Sequence, residues 1–180
     1  MIAKSYKKAP DRDKIKKLYQ TAFPKEELLP WWIVRLLTIQ KCVDLTGYYR
    51  EETFAGFTFT ATTEDILFVL FFAVEENSRG KGFGSEILQY LKDSNSGKTI
   101  VLNVEPVDER AENNDQRIRR MAFYKKNGFY DTGYNIREVG GVFRVLATAP
   151  ELDTAAYGKV FRKMSLGLWR PEMTKIEKKE

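Results

Sequence analysis

A chain of 180 residues, 43% hydrophobic and 31% charged, is long enough for one domain around one substantial core. Its net charge of +5 permits a polyanionic ligand without demanding nucleic acid. The sequence contains no histidine, which excludes Ser-His-Asp and Cys-His nucleophiles and imidazole-based zinc motifs, and leaves acid–base chemistry to Glu, Asp, Tyr, Lys or water. The lone cysteine, Cys42, rules out an internal disulfide, reads as a buried structural thiol and fits a reducing, cytoplasmic setting. Met1 to Pro10 shows no signal-peptide pattern, and the longest apolar run, Ile66 to Val74, is far short of the ~20 residues that span a bilayer.

Ile2 to Lys8 reads as a short edge strand. Asp11 caps an amphipathic helix carrying Ile15, Leu18, Tyr19 and Ala22, which Pro24 closes. A second helix is expected over Trp31 to Gln40, with Trp32, Leu36 and Ile39 on one stripe. Strands follow at Val43 to Glu51 and at Ala55 to Ala61, where alternation of Ala55, Phe57, Phe59 and Ala61 with Gly56, Thr58 and Thr60 predicts a half-exposed strand. Ile66 to Val74 has no polar face and reads as a central strand covered on both sides.

A glycine-rich loop then leads into a helix over Gly84 to Asp93, with Ile87, Leu88 and Leu91 inward. Thr99 to Val104 is a buried strand. Gln116 to Asn127 is a helix with Ile118, Met121 and Ala122 on its apolar stripe and Gly128 as its stop. Phe129 to Ala147 reads as a hairpin turning at Gly140-Gly141, and Thr154 to Leu168 as a last helix. This order predicts an α+β fold, a mixed and mostly antiparallel sheet flanked by helices. The expected organisation is one domain over residues 1–170 and a frayed, charged tail over 171–180.

The segment Arg79-Gly80-Lys81-Gly82-Phe83-Gly84-Ser85 joins the central strand to a helix. Glycines leave backbone N–H groups open to a ligand, and the helix N-terminus adds aligned donors, which suits a phosphate or pyrophosphate. Arg79 and Lys81 add positive charge. Arg79, Gly82 and Gly84 satisfy [RQ]-x-x-G-x-[GA], and Met121-Ala122-Phe123-Tyr124-Lys125-Lys126-Asn127-Gly128-Phe129 satisfies A-x-x-Y-x-x-x-G-F in outline. On these two motifs, in this order, the chain resembles the GNAT family of acyl-CoA N-acyltransferases along nearly its whole length.

The resemblance implies acetyl-CoA as co-substrate, no metal, and an amine acceptor. The backbone of Phe72, Ala73 and Val74 would pair with pantetheine in a gap beside the next strand, and Gly80 to Ser85 would wrap the pyrophosphate. Tyr124 matches the family's general acid, which protonates the departing sulfur; its plain alternative is packing. Glu105, at the end of Thr99 to Val104, stands where some relatives place a general base, with an ordered water or a solvent-facing role as the alternatives. Glu27 falls in the loop that shapes the acceptor pocket in relatives and is the candidate for binding an acceptor ammonium. The family often has an asparagine seven residues before the tyrosine; this chain has Arg117 there, so that contact would pass to Asn113 or Asn114.

The expected activity is transfer of acetyl from acetyl-CoA to a primary amine by direct attack. A noncatalytic acyl-CoA sensor is the alternative from another class, and a dinucleotide-binding protein is a third. The acceptor is open between small molecules and protein amines, neither nucleic acid nor membrane is expected as a partner, and a homodimer stands beside a monomer.

Overall fold

The computed structural model describes residues 1–138 and 140–176. Eight strands form one sheet in the order β1-β2-β3-β4-β5-β7-β6-β8: β1 (Ile2–Ser5), β2 (Val43–Arg50), β3 (Thr53–Thr62), β4 (Ile66–Val74), β5 (Thr99–Val104), β6 (Tyr130–Glu138), β7 (Gly141–Ala147) and β8 (Glu172–Lys175). The β4–β5 pair is parallel, and the other neighbours run antiparallel. Helices α1 (Arg12–Ala22), α2 (Trp31–Leu37) and α5 (Thr154–Met164) bury their apolar residues in one core with the sheet. Helices α3 (Phe83–Ser94) and α4 (Asn114–Lys126) contribute to a second. The mixed α+β architecture expected from the element order is the one observed.

Both faces of the sheet are therefore covered, and this overrides the alternation in β3. Thr58 and Thr60 are buried along with the apolar residues between them, because each hydroxyl finds an internal partner. Thr58 Oγ1 lies 3.0 Å from Tyr48 Oη, and Thr60 donates to the Asp44 carbonyl at 3.5 Å. A hydroxyl buried with a partner costs little, so a polar residue does not have to face water.

Two helical stripes are also corrected. Helix α2 ends at Leu37, short of the expected Gln40; Trp32 and Leu36 in it and Ile39 in the turn beyond it are 66%, 55% and 71% exposed, while Val34 is buried and Trp31 packs edge-on against Tyr6 and at a tilt against Tyr19. The helix is rotated so that positions 31 and 34 face the core. In α4, Ile118 and Ala122 are exposed and Met121 is half-buried; Tyr124 is the buried residue. That helix turns Arg117 and Arg120 toward the sheet because Glu105 is there to meet them.

The chain ends differ as well. Tyr6 to Lys8 form a 3-10 turn after β1. Residues Glu172–Lys175, read as part of a frayed tail, pair with β6 from Arg137 to Tyr134 and add an edge strand. Positions 177–180 of that tail lie outside the described residues. In the β6–β7 hairpin Gly141 pairs with Glu138 as the first residue of β7, so of the expected Gly140-Gly141 turn only Gly140, at φ +95°, lies outside the strands.

One irregularity positions everything that follows. Across β3–β4, Phe59 pairs with Phe71 but Thr60 pairs with Val69, leaving Leu70 as an extra residue. A bulge of this kind bends its strand. The β4–β5 ladder runs from Ile66–Thr99 to Val69–Leu102 and stops there. From Leu70 to Val74, β4 keeps its partner in β3 but has left β5.

Candidate active site

The splay opens into a cavity of about 970 Å³ between the C-terminal halves of β4 and β5, large enough for an extended organic ligand. Of the residues expected to meet a cofactor, Phe72, Ala73, Val74, Arg79, Gly80, Gly82, Phe83, Gly84 and Ser85 line it. Lys81 is exposed and is not part of the wall. The unpaired edge of β4 supplies free backbone groups facing the gap, the arrangement by which an extended ligand can add like a strand.

At the mouth, the loop after β4 passes through a 3-10 turn (Glu76–Ser78) into α3. Gly82, at φ +85°, is the N-cap of α3, a conformation that a side chain adopts only at a cost. A Cβ built on Gly80 or Gly82 would meet nothing within 4 Å. Space is left over the first turn of the helix, where N–H groups lack intrahelical partners. That open, donor-rich cradle fits a pyrophosphate. Gly84 has another reason: a Cβ there would lie 3.1 Å from Cζ of Phe123, so a small residue lets α3 and α4 close on each other. Arg79 folds back to donate to the Val74 carbonyl at 3.3 Å.

Tyr124, on α4, is buried and lines the same cavity. Burial pushes its phenol up to about 12, although nearby Arg120 opposes the shift. Gln116, Arg119 and Phe123 share that wall. Asn113 and Asn114, the expected stand-ins at the Arg117 position, are engaged internally. Asn113 donates to Glu105 and accepts from Arg117 at 2.8 Å, and Asn114 accepts from the Asp108 amide at 3.0 Å.

Glu105 lines the cavity, but its carboxylate is occupied. Oε1 pairs with Arg117 at 2.8 Å, Oε2 with Arg120 at 3.0 Å, and Asn113 donates to both oxygens. A carboxylate clamped by two guanidinium groups and an amide has few lone pairs to spare. The geometry gives it the work of aligning α4 against β5.

Another carboxylate of the cavity is held differently. Glu138, at the end of β6, lines the far part of the cavity and accepts a hydrogen bond from Asn103 Nδ2. Asn103 in turn accepts from the hydroxyl of Tyr157 on α5 at 3.0 Å, which fixes the amide's orientation. Burial raises the Glu138 carboxyl to about 7; the Asn103 bond pulls it down and the neighbouring Glu27 pushes it further up. Glu27, half-buried, is itself raised by burial and by Glu105, with Arg120 and Arg117 opposing. Burial and Glu138 hold the Tyr157 phenol well above its usual range, against the Asn103 bond.

Glu138, Asn103 and Tyr157 are not legible as site residues in the sequence. Asn103 alone left a trace, a polar residue inside the otherwise apolar strand Ile100 to Val104. The loop holding Glu27 meets the β6–β7 turn directly: a Cβ on Gly140 would lie 2.8 Å from Glu27 Cγ. Phe23, Leu29, Phe71, Phe143, Met164 and Trp169 line the cavity along with these polar groups.

Residues 42–131, half of the chain, match the family described as "Acetyltransferase (GNAT) domain". The Bacillus subtilis (strain 168) protein YjbC is 29% identical over 125 residues, 69% of this chain; the chain spans 55% of that protein's length. Among solved structures, a GNAT-family protein from Bacteroides thetaiotaomicron superposes with a TM-score of 0.74 at 20% identity, over 94% of this chain and all of that one. An aminoglycoside 6'-N-acetyltransferase solved with coenzyme A has a TM-score of 0.60 at 18% identity, over 85% of this chain and all of that one. Both structural likenesses bear on the fold.

Proposed function

Because the chain belongs to the GNAT acetyltransferase family, we propose that it transfers acetyl from acetyl-CoA to a primary amine by direct attack. The observation that supports this most is the bulge at Leu70, which parts β4 from β5 and runs the glycine cradle, Tyr124 and Glu138 into one continuous cavity. Acetyl-CoA would supply the electrophilic thioester carbonyl and a thiolate leaving group.

The protein's share is proton management. An alkylamine with a pKa near 10.4 is almost wholly protonated at pH 7, and neutralising it costs roughly 4–5 kcal/mol. Glu138 is the group suited to take that proton. Its carboxyl, at about 7, is half ionised at neutrality, and in a desolvated site transfer from ammonium to carboxylate cancels two buried charges. The neutral nitrogen then forms the C–N bond as the C–S bond breaks, and the second proton it sheds passes to solvent, which in turn protonates the thiolate.

Tyr124 faces the departing sulfur in this reading. A phenol at about 12 stays protonated across the working range, so its O–H is always available. Full transfer to a thiolate whose thiol has a pKa of ~8.5 is uphill by several kcal/mol. Tyr124 therefore works chiefly by hydrogen bonding to charge as it develops on sulfur, with solvent completing protonation. Glu105 serves as the anchor of Arg117 and Arg120, and Glu27 faces the acceptor.

The test is release of free thiol from acetyl-CoA in the presence of primary amines, beside thermal melting. CoA at 100 times its dissociation constant contributes ~2.7 kcal/mol, a rise in Tm of roughly 5–10 °C for a chain of this size. A shift with NAD and none with CoA overturns the reading. CoA binding without turnover of any amine favours a sensor.

A further inference from the structure

We infer that the acceptor is a compact aliphatic diamine, its attacking nitrogen beside Glu138 and its second ammonium held by Glu27. This rests on the acetyltransferase reading and assigns its substrate class.

The far end of the cavity contains three carboxylates, and they are not equivalent. Glu105 is matched by Arg117 and Arg120; that trio carries a surplus positive charge on α4, the helix whose Arg119 also lines the cavity. It favours the anionic cofactor. Among the described residues, neither Glu27 nor Glu138 forms a salt bridge with any Lys or Arg. The two are close enough for Glu27 to raise the proton affinity of Glu138. Arg120 and Arg117 reach Glu27 only through space, without a salt bridge, and two neighbouring half-buried carboxylates in that state are costly unless they take up a proton or a ligand supplies positive charge.

Much of the wall of the cavity they share is hydrocarbon. Phe23, Leu29, Phe143 and Trp169 form walls without a free hydrogen-bonding group, apart from the indole N–H. Asn103, the neutral polar side chain at this end, is already joined to Glu138 and Tyr157. A polyhydroxylated amine would leave hydroxyls unpaired against these walls, at a penalty for each. A polymethylene chain loses nothing there, and its two charged ends answer the two carboxylates.

The Lys25–Glu27 turn meets Gly140, where a Cβ would lie 2.8 Å from Glu27 Cγ. That contact leaves little room between the two segments beside the carboxylates, which suits a compact ligand better than an extended polypeptide.

The experiment compares 1,3-diaminopropane and 1,4-diaminobutane with propylamine and butylamine, by thiol release from acetyl-CoA. The expected kcat/KM for each diamine exceeds that of the monoamine of equal length by at least tenfold, well above the statistical factor of two, with the difference in KM. Glu27→Gln should bring the ratio close to two, and Glu27→Asp should retain part of it. Equal use of butylamine and 1,4-diaminobutane overturns the inference and leaves acetyl transfer standing. So does preferred turnover of an aminoglycoside or of a peptide N-terminus. If CoA raises the Tm but none of the four amines releases thiol, the diamine assignment fails; if CoA produces no shift, the acetyltransferase reading fails with it.

Discussion

The two ends of the cavity are built in opposite ways. The proposed cofactor end is a contiguous stretch, from Phe72 to Ser85, built mainly of backbone: a freed strand edge, two glycines at positive φ and the start of α3. The proposed acceptor end gathers Glu27, Asn103 and Glu138, with Tyr157 behind Asn103, from four elements spread over more than half the chain. Backbone recognition requires a short motif and tolerates few changes. Side-chain recognition needs only that a carboxylate arrive at the right place, from whichever strand or loop is near. The first can be shared across a family while the second sets what each member acts on.

The largest expected effect lies at the acceptor end. Glu138→Gln should lower kcat/KM at neutral pH by about 10²- to 10⁴-fold, the usual range for a lost general base. In the wild type, kcat/KM should rise with pH through about 7 as Glu138 ionises, and the variant should lose that limb. Stability supplies an independent sign check. A carboxyl raised on folding contributes stability at low pH that is lost as pH rises through its folded value of about 7. Wild-type Tm should therefore fall more steeply than the variant's between pH 5 and pH 8. Equal pH–rate profiles would move the base elsewhere.

Tyr124→Phe belongs to the junction between the two ends. Removing one hydroxyl while keeping the ring should lower kcat by about 10²-fold, with CoA affinity and Tm little changed. Turnover within a few-fold of wild type, with chemistry rate-limiting, would leave Tyr124 as packing between Phe123 and Phe129.

At the cofactor end, Gly82→Val should weaken CoA binding by about tenfold or more, as measured by calorimetry. The space is free, so there is no clash. The cost is a branched side chain over the cradle and at φ +85°, a strain of roughly 1–3 kcal/mol that should also lower the Tm. Unchanged affinity would mean that the cradle holds no phosphate.

Glu105→Gln should have the smallest effect on chemistry and a clear one on stability. It weakens the clamp on Arg117 and Arg120, both partly buried, and should destabilise by about 1–3 kcal/mol. The limb near pH 7 should persist. If that limb vanishes here and survives in Glu138→Gln, the two carboxylates exchange roles.

How far the sequence could be read follows the same division. The glycine loop, the central strand and Tyr124 lie in short segments whose spacing survives folding, and all of them line the cavity. The α4 stripe departs from the structure because Arg117 and Arg120, polar by type, turn inward to meet Glu105, the residue that follows β5. The α2 stripe failed because periodicity does not say which side of a short helix turns to the core, and Trp31 and Val34 face it instead. The alternation in β3 failed because periodicity does not say how many faces of a strand are covered, and here helices cover both faces of the sheet.

The sequence by itself determined the absence of imidazole chemistry, the mixed sheet with flanking helices, the strand–glycine–helix cradle and the position of Tyr124 within its motif, because each is a matter of composition or of neighbours in the chain. The tertiary structure alone decided the bulge at Leu70 that opens the sheet, the neutralisation of Glu105, and the pairing of Glu138 with Asn103 and Tyr157. These depend on strand register and on which side chains meet across the sheet. A carboxylate's ionisation is set by burial and by charges a few ångströms away, and for Glu138 those come from Glu27, 111 positions earlier in the chain.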